Sequence, residues 1–236
     1  MKKIIRFLVC MVLCAVFTLS LPLGALADEA PQDSGAKLMA ITFDDGPGDY
    51  TLDLLDALAQ RGVKATFFIT GSRVSAYPGV LDAIAAGGHQ LANHTHNHKN
   101  LNTLTAEQVS KEVNATRDLL VAAGGEQTYY VRAPYGNANN TVKSAVDAPL
   151  IYWSVDPEDW KYRNADTVYN NIVKNAYDGC IILCHDVYKT TVNGALRAID
   201  TLQSQGYEFV TVEQLLTRRG ITPENGVVYY DAKNTG

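Results

Sequence analysis

The chain has 236 residues, 47% of them hydrophobic and 19% charged, with a formal net charge of −5. That length and apolar share suit one domain with a substantial core. The acidic balance argues against nucleic acid or an anionic membrane surface as the main partner.

The first residues read as a secretion signal. Lys2, Lys3 and Arg6 precede an almost wholly apolar run from Phe7 to Leu23, and Ala25-Leu26-Ala27 supplies a small-x-small cleavage pattern. The run falls short of the ~20 residues a membrane span needs, and Pro22 and Gly24 interrupt its end. Cleavage after Ala27 is expected, leaving 209 residues of formal charge −8, secreted or wall-associated and without stable membrane insertion. Cys10 and Cys14 depart with the leader. Cys180 and Cys184 lie four apart on an apolar run, ~13 Å if extended, too far for a disulfide.

Residues 28–36 read as a polar linker, 37–220 as one catalytic domain and 221–236 as a peripheral tail. Leu38 to Phe43 predicts a buried strand, followed by a helix through Leu52, Leu55 and Leu58. Ala65 to Ile69 predicts a second strand and Val74 to Ala86 a helix ended by Gly87-Gly88. A strand at Gln90 to Ala92 precedes the longest helix, Ala106 to Ala123, with Thr105 as its cap and Gly124-Gly125 as its stop. Further strands are expected at Tyr129 to Val131, Leu150 to Trp153, Cys180 to Leu183 and Glu208 to Val210. Helices are expected at Asp166 to Ala176, Val192 to Gln205 and Val212 to Arg218. Repeated strand-then-helix units imply an α/β fold with a parallel sheet, open or closed into a barrel. Its chemistry belongs at the carboxyl ends of the strands.

Two clusters sit where that rule puts them. In Thr42-Phe43-Asp44-Asp45-Gly46-Pro47 two carboxylates leave a strand together, and neighbouring strand residues point in opposite directions. One acid could bind a metal while the other handles a proton, although Asp-Gly-Pro is also ordinary turn chemistry. In His94-Thr95-His96-Asn97-His98, three of the five histidines fall within five residues. His94 and His98 could share one face of a helical turn and converge on a cation, with His96 pointing elsewhere. An Asp with two His suits Zn²⁺ in hydrolysis, but it also matches the facial triad of non-haem iron oxygenases. The ligands alone do not choose the reaction.

The segments TFDDGP, HTHNH, RAPYG, DPEDW and LCH, in this order across Lys37 to Leu216, resemble the five motifs of the polysaccharide deacetylases. That family is carbohydrate esterase family four, the nodulation-protein-B homology domain. The resemblance implies a distorted (β/α) barrel of parallel strands with its metal site at their carboxyl ends. It implies that Asp45, His94 and His98 hold a divalent metal, Zn²⁺ or in its place Co²⁺, Ni²⁺ or Mn²⁺. Asp44 would be the general base, paired with Arg132, and the main-chain N–H of Tyr135 would help stabilise the oxyanion. His185 would protonate the departing amine, oriented by Asp159 or, as the rival, by Asp156. Trp153, Trp160 and Leu183 would wall the acetyl slot. Ala133 stands where the family often has proline, which removes no chemical group.

The activity so implied is N-deacetylation of an extracellular amino-sugar polymer, peptidoglycan or chitin-like, by a monomer. An esterase on acetylated xylan is the nearest alternative, since an alcohol oxygen leaves more easily than an amine and needs the acid less. A glycan-binding protein that has lost turnover is the alternative of another class, and the full set Asp44, Asp45, His94, His98 and His185 argues against it. The iron reading leaves Arg132, Asp159 and His185 without a connected task. An acidic surface is unfavourable against an anionic wall unless the groove itself is less acidic.

Overall fold

In chain order the elements are β1 (Lys37–Asp44), α1 (Thr51–Gln60), β2 (Thr66–Ile69), α2 (Val80–Ala86), β3 (Gln90–Asn93), α3 (Ala106–Gly124), α4 (Asn140–Ala145), β4 (Leu150–Ile151), α5 (Asp159–Tyr162), α6 (Ala165–Asn175), β5 (Ile181–His185), α7 (Lys189–Ser204), β6 (Tyr207–Phe209), α8 (Val212–Arg218) and β7 (Val228–Tyr229). They belong to a computed structural model that describes residues 35–124 and 129–233. The expected leader, residues 28–34 of the linker and Gly125 of the expected helix stop lie outside the described residues.

The strands run β3-β2-β1-β5, β6 also pairs with β1, and β4 pairs with β7; all five pairings are parallel. Single parallel bridges carry the sheet on from Asn93 through Val131 to Leu150, and from Val155 to Ile182. The ring therefore closes between β3 and β5 through bridges instead of full ladders, which makes it a distorted barrel. Alternation along β1 sorts its side chains. Met39, Ile41 and Phe43 pack outward in a cluster with Leu54, Leu58, Phe67 and Ile199. Ala40 shares the inner cluster with Phe68, Ala92, Ile151 and Ile181, one residue each from β1, β2, β3, β4 and β5. Val212, Leu215 and Leu216 of α8 close that cluster from below. Burial of a side chain such as Phe68 contributes ~1.5–3 kcal/mol, and Phe68→Ala would remove ~3–5 kcal/mol.

Several expectations are corrected. The helix expected from Val74 to Ala86 is a 3₁₀ turn at Gly71–Ala76 and then α2, because Pro78 lacks an N–H and Gly79 takes φ 79 between them. The strands expected at Tyr129 to Val131 and Leu150 to Trp153 shrink to Val131, which bridges to Asn93 and Leu150, and the two residues of β4. Beyond β4 the ladder is replaced by a side chain: the carbonyls of Ile151 and Tyr152 accept from Arg132 at 2.9 Å each. The tail, read as peripheral, supplies β7, and Ala232 is buried. Helices α4 and α5 were not expected. Cys180 and Cys184 are buried and free, as their spacing requires. Among the described residues no helix is long and apolar enough to cross a membrane.

Candidate metal and acid–base site

Asp44 ends β1 with its side chain inside the barrel, 2% exposed. Strand alternation predicts that Asp45 points the other way. Instead Asp45 takes φ 69, which swings its carboxylate to the same end of the barrel. Asp45 Oδ1 lies 3.5 Å from His94 Nε2 and 3.3 Å from His98 Nε2, and Asp44 Oδ2 lies 3.7 Å from His94 Nε2.

The histidine segment is a loop, not a helical turn. Thr95 and His98 take φ 65 and 52, and hydrogen bonds from outside the segment stabilise that path. Asn93 Oδ1 accepts from Thr95 N at 2.8 Å. Helix α3 supplies Glu112, whose carbonyl accepts from His96 N at 3.0 Å. The Glu112 carboxylate accepts from Asn97 N at 2.8 Å and Asn97 Nδ2 at 3.0 Å. Burial pushes that carboxyl up, but the donors of Asn97 and Lys99 outweigh it and hold its pKa below the ordinary value. Sequence reasoning missed Glu112. The signal was a charged residue on the stripe Val109, Glu112, Val113, Thr116, the buried face of α3.

His94 Nδ1 lies 2.8 Å from the Arg132 carbonyl, which can only accept. Nδ1 therefore carries the proton and Nε2 keeps its lone pair toward Asp45. Burial lowers the His94 pKa to about 3, so the ring is neutral, the form a metal needs. The ligand atoms of Asp45, His94 and His98 lie within 4.8 Å of one another. Asp45 Oδ1 is buried with no hydrogen-bond partner. An orphaned carboxylate oxygen facing two imidazole nitrogens is a donor set that fits a divalent cation.

Arg132 is fully buried under this site. Its Nη1 donates to Asp44 Oδ1 and to Thr42 Oγ1 at 2.7 Å each, and its guanidinium stacks 3.9 Å over Phe68. Burial, more than the pairing with Arg132, decides the pKa of Asp44. Burial raises that pKa and exceeds the lowering by Arg132 and His185, so the net shift is upward.

Across the opening, His185 ends β5. Its Nδ1 lies 2.9 Å from Asp159 Oδ1, while Asp159 Oδ2 accepts from His185 N and Thr191 Oγ1 at 2.8 Å each. Asp156 instead turns back on Glu158 N at 2.7 Å, so Asp159 is the carboxylate bound to the imidazole. Burial alone would lower the His185 pKa; the Asp159 hydrogen bond and the charges of Asp159, Asp44 and Asp45 push it up to about 9.

A cavity of about 530 Å³ joins these groups, lined by Asp44, Asp45, His94, His98 and His185 with Ala133, Tyr135, Trp153, Asp156, Trp160 and Leu183. All the expected slot residues are thus brought together. Gly136 approaches Trp153 so closely that a Cβ there would stand 2.9 Å from the indole. Tyr135 takes φ 63 in the same turn. A larger open groove of about 760 Å³, lined by Lys64, Glu208 and Arg218 among others, contains none of these groups.

Residues 32–151 match the family model described as polysaccharide deacetylase. A peptidoglycan-N-acetylglucosamine deacetylase of Listeria monocytogenes is 38% identical over 89% of this chain and 45% of its own length. A peptidoglycan-N-acetylmuramic acid deacetylase of Bacillus subtilis is 39% identical over 81% of this chain and 41% of its own. The chain thus spans less than half the length of these two relatives. The solved CE4 domain of a multidomain xylanase from the hindgut metagenome of Trinervitermes trinervoides superposes with a TM-score of 0.79. It is 33% identical, covering 84% of this chain and 98% of that domain.

Proposed function

The chain belongs to the polysaccharide deacetylase family, and from that premise we propose that it hydrolyses N-acetyl groups of an extracellular amino-sugar polymer. The observation that carries this reading is one cavity holding an Arg-paired carboxylate, an Asp-paired imidazole and the Asp45, His94 and His98 donor set.

Asp45, His94 and His98 would hold the metal, with Zn²⁺ the best match to two imidazoles and a carboxylate. When bound, a divalent cation polarises a carbonyl and acidifies water. Asp44 accepts the proton of the attacking water at Oδ2, because Oδ1 is taken by Arg132. Arg132 is a positioning residue: its other hydrogen bonds to Thr42, Ile151 and Tyr152 leave the guanidinium no freedom to turn. The Tyr135 N–H is assigned to the acetyl oxygen as it gains charge. His185 donates the proton at Nε2 to the departing nitrogen, with Asp159 keeping Nδ1–H oriented. Leu183, Trp153 and Trp160 exclude water around the acetyl methyl.

The likeness to the xylanase-borne domain supports a second reading, O-deacetylation of xylan. The raised pKa of His185 favours the amide, whose amine must be protonated to leave. With relatives named for peptidoglycan, the basic start and apolar run within the first 27 residues support export to the wall. The test is acetate release by the protein stripped of metal and reloaded, on peptidoglycan, chitin oligosaccharides and acetylated xylan. Metal-dependent release from an amino-sugar polymer is the expected result. Release from xylan alone would make it an ester hydrolase, and silence on all three with metal bound would leave a glycan-binding protein.

A further inference from the structure

Beside the acetyl slot stands a cation that no described carboxylate neutralises. Arg163 follows α5 with φ 48, and its Nε donates to the Trp160 carbonyl at 2.8 Å. Its guanidinium carbon lies 3.2 Å over the Tyr188 ring, whose centre is 6.0 Å from that of His185. Lys161, two residues earlier, is already tied to Glu158 at 2.9 Å. Arg163 Nη1 and Nη2 have no hydrogen-bond partner among the described residues. With Nε anchored and one face on a tyrosine, the guanidinium offers its free edge in a set orientation.

The position of that edge names a ligand chemistry. His185 is assigned to the leaving nitrogen, so the sugar carbon bearing the acetamido group lies against it. Substituents on the neighbouring ring carbon, or on the next sugar along the polymer, then extend past His185. On that side stand Tyr188 and Arg163, with half-exposed Trp160 as an apolar wall. Neutral acetamido-sugar polymers place only hydroxyls there. Peptidoglycan strands carry a lactyl ether. It ends in a carboxylate where the peptide is absent, and in an amide to the peptide, with the peptide's own carboxylates, where it is present. A carboxylate matches an arginine edge by paired charge-assisted hydrogen bonds.

We infer that Arg163, stacked on Tyr188, forms an anion subsite for a carboxylate borne by the polymer beside its acetamido group, which makes the substrate an acidic amino-sugar polymer. The inference rests on the deacetylase reading for the direction in which the sugar lies. It also answers the charge problem of an acidic protein at an anionic wall, since the local cation meets the substrate's charge.

The test compares Arg163→Gln and Arg163→Lys with the parent protein on chitotetraose, peptide-free peptidoglycan strands and peptide-bearing strands. Arg163→Gln should raise KM on peptide-free strands about tenfold, in keeping with loss of a hydrogen bond to a charged group. Its kcat should stay within twofold, and the difference should shrink at high salt. Chitotetraose should change less than twofold, and Arg163→Lys should recover part of the loss. A loss confined to peptide-bearing strands keeps the anion subsite and assigns the carboxylate to the peptide. Equal losses on chitotetraose and strands, or none on either, overturn the inference. Calorimetric binding of the same strands, run without turnover, separates the two readings. Arg163-dependent binding by a protein that releases no acetate would sink the activity and uphold the subsite; binding equal in parent and Arg163→Gln would sink the subsite.

Discussion

Asp159 grips His185 twice, one carboxylate oxygen 2.9 Å from the ring Nδ1 and the other accepting the main-chain N–H at 2.8 Å. Backbone and ring are therefore set by one buried side chain: Oδ2 ties the carboxylate to the strand end, and the imidazole cannot rotate without losing Oδ1.

That grip predicts a pH effect. His185 acts only while protonated, so activity should persist below its pKa and fall as pH rises through about 9. Asp159→Asn removes the charge that offsets burial, and the pKa should drop to or below the ordinary 6.5. The alkaline limb of kcat/KM should then move to lower pH by more than one unit. An unmoved limb would rule out His185 as the acid.

The two adjacent carboxylates should respond differently. Asp44→Asn should keep metal binding while kcat falls ~10²–10⁴-fold, as for loss of a general base. Asp45→Asn should lose metal and activity together, because Asp45 Oδ1 is the carboxylate oxygen facing both His94 and His98. Metal content by elemental analysis, beside kcat, distinguishes them; full occupancy in Asp45→Asn would refute its assignment.

Glu112 touches no proposed ligand, yet it holds the loop between two of them. Glu112→Ala frees Asn97 N and Nδ2 and should weaken metal affinity ~10–100-fold, the range for partners that orient metal ligands. Chelator competition measures this without reference to turnover. Unchanged affinity would show that the loop keeps its path unaided.

Asp186 gives a stability prediction. It is fully buried, hydrogen-bonded through Oδ2 to Thr51 Oγ1 at 2.5 Å, and its Oδ1 has no partner. Burial pushes its pKa up to about 7. Between the ordinary 3.8 and 7 the folded state keeps a proton that the unfolded chain releases, so stability falls as pH rises across that window. Asp186→Asn should flatten that fall. Melting temperatures of both proteins from pH 5 to 8 check it; parallel curves would mean that Asp186 titrates normally.

The barrel and the composition of its site were legible because they depend on local signals. Apolar runs marked β1, β2 and β5, and the polar clusters after them marked where chemistry collects. Conformation at the site was not legible. The positive φ of Asp45 and His98 contradicts both strand alternation and helical spacing, and hydrogen bonds from Glu112 and Asn93 stabilise the histidine loop. The strand at Leu150 was overread because nothing local reveals that a distant guanidinium will take the carbonyls of Ile151 and Tyr152. The upward push of burial on the Asp44 pKa was not legible either, since depth of burial belongs to the tertiary fold.

Arg132 closes a gap in the barrel wall with the same side chain that faces Asp44, whereas Asp45 and His98 sit at the rim with part of their surface open. Loss of activity and loss of fold are therefore separable at some positions and inseparable at others. A descendant of this chain could abandon chemistry by changing a rim ligand and survive as a well-folded glycan binder. Replacing Arg132 would leave Asp44 buried without its counter-charge and three partners unbonded, so that route out of catalysis leads through instability. The rim is where such a lineage has freedom to change.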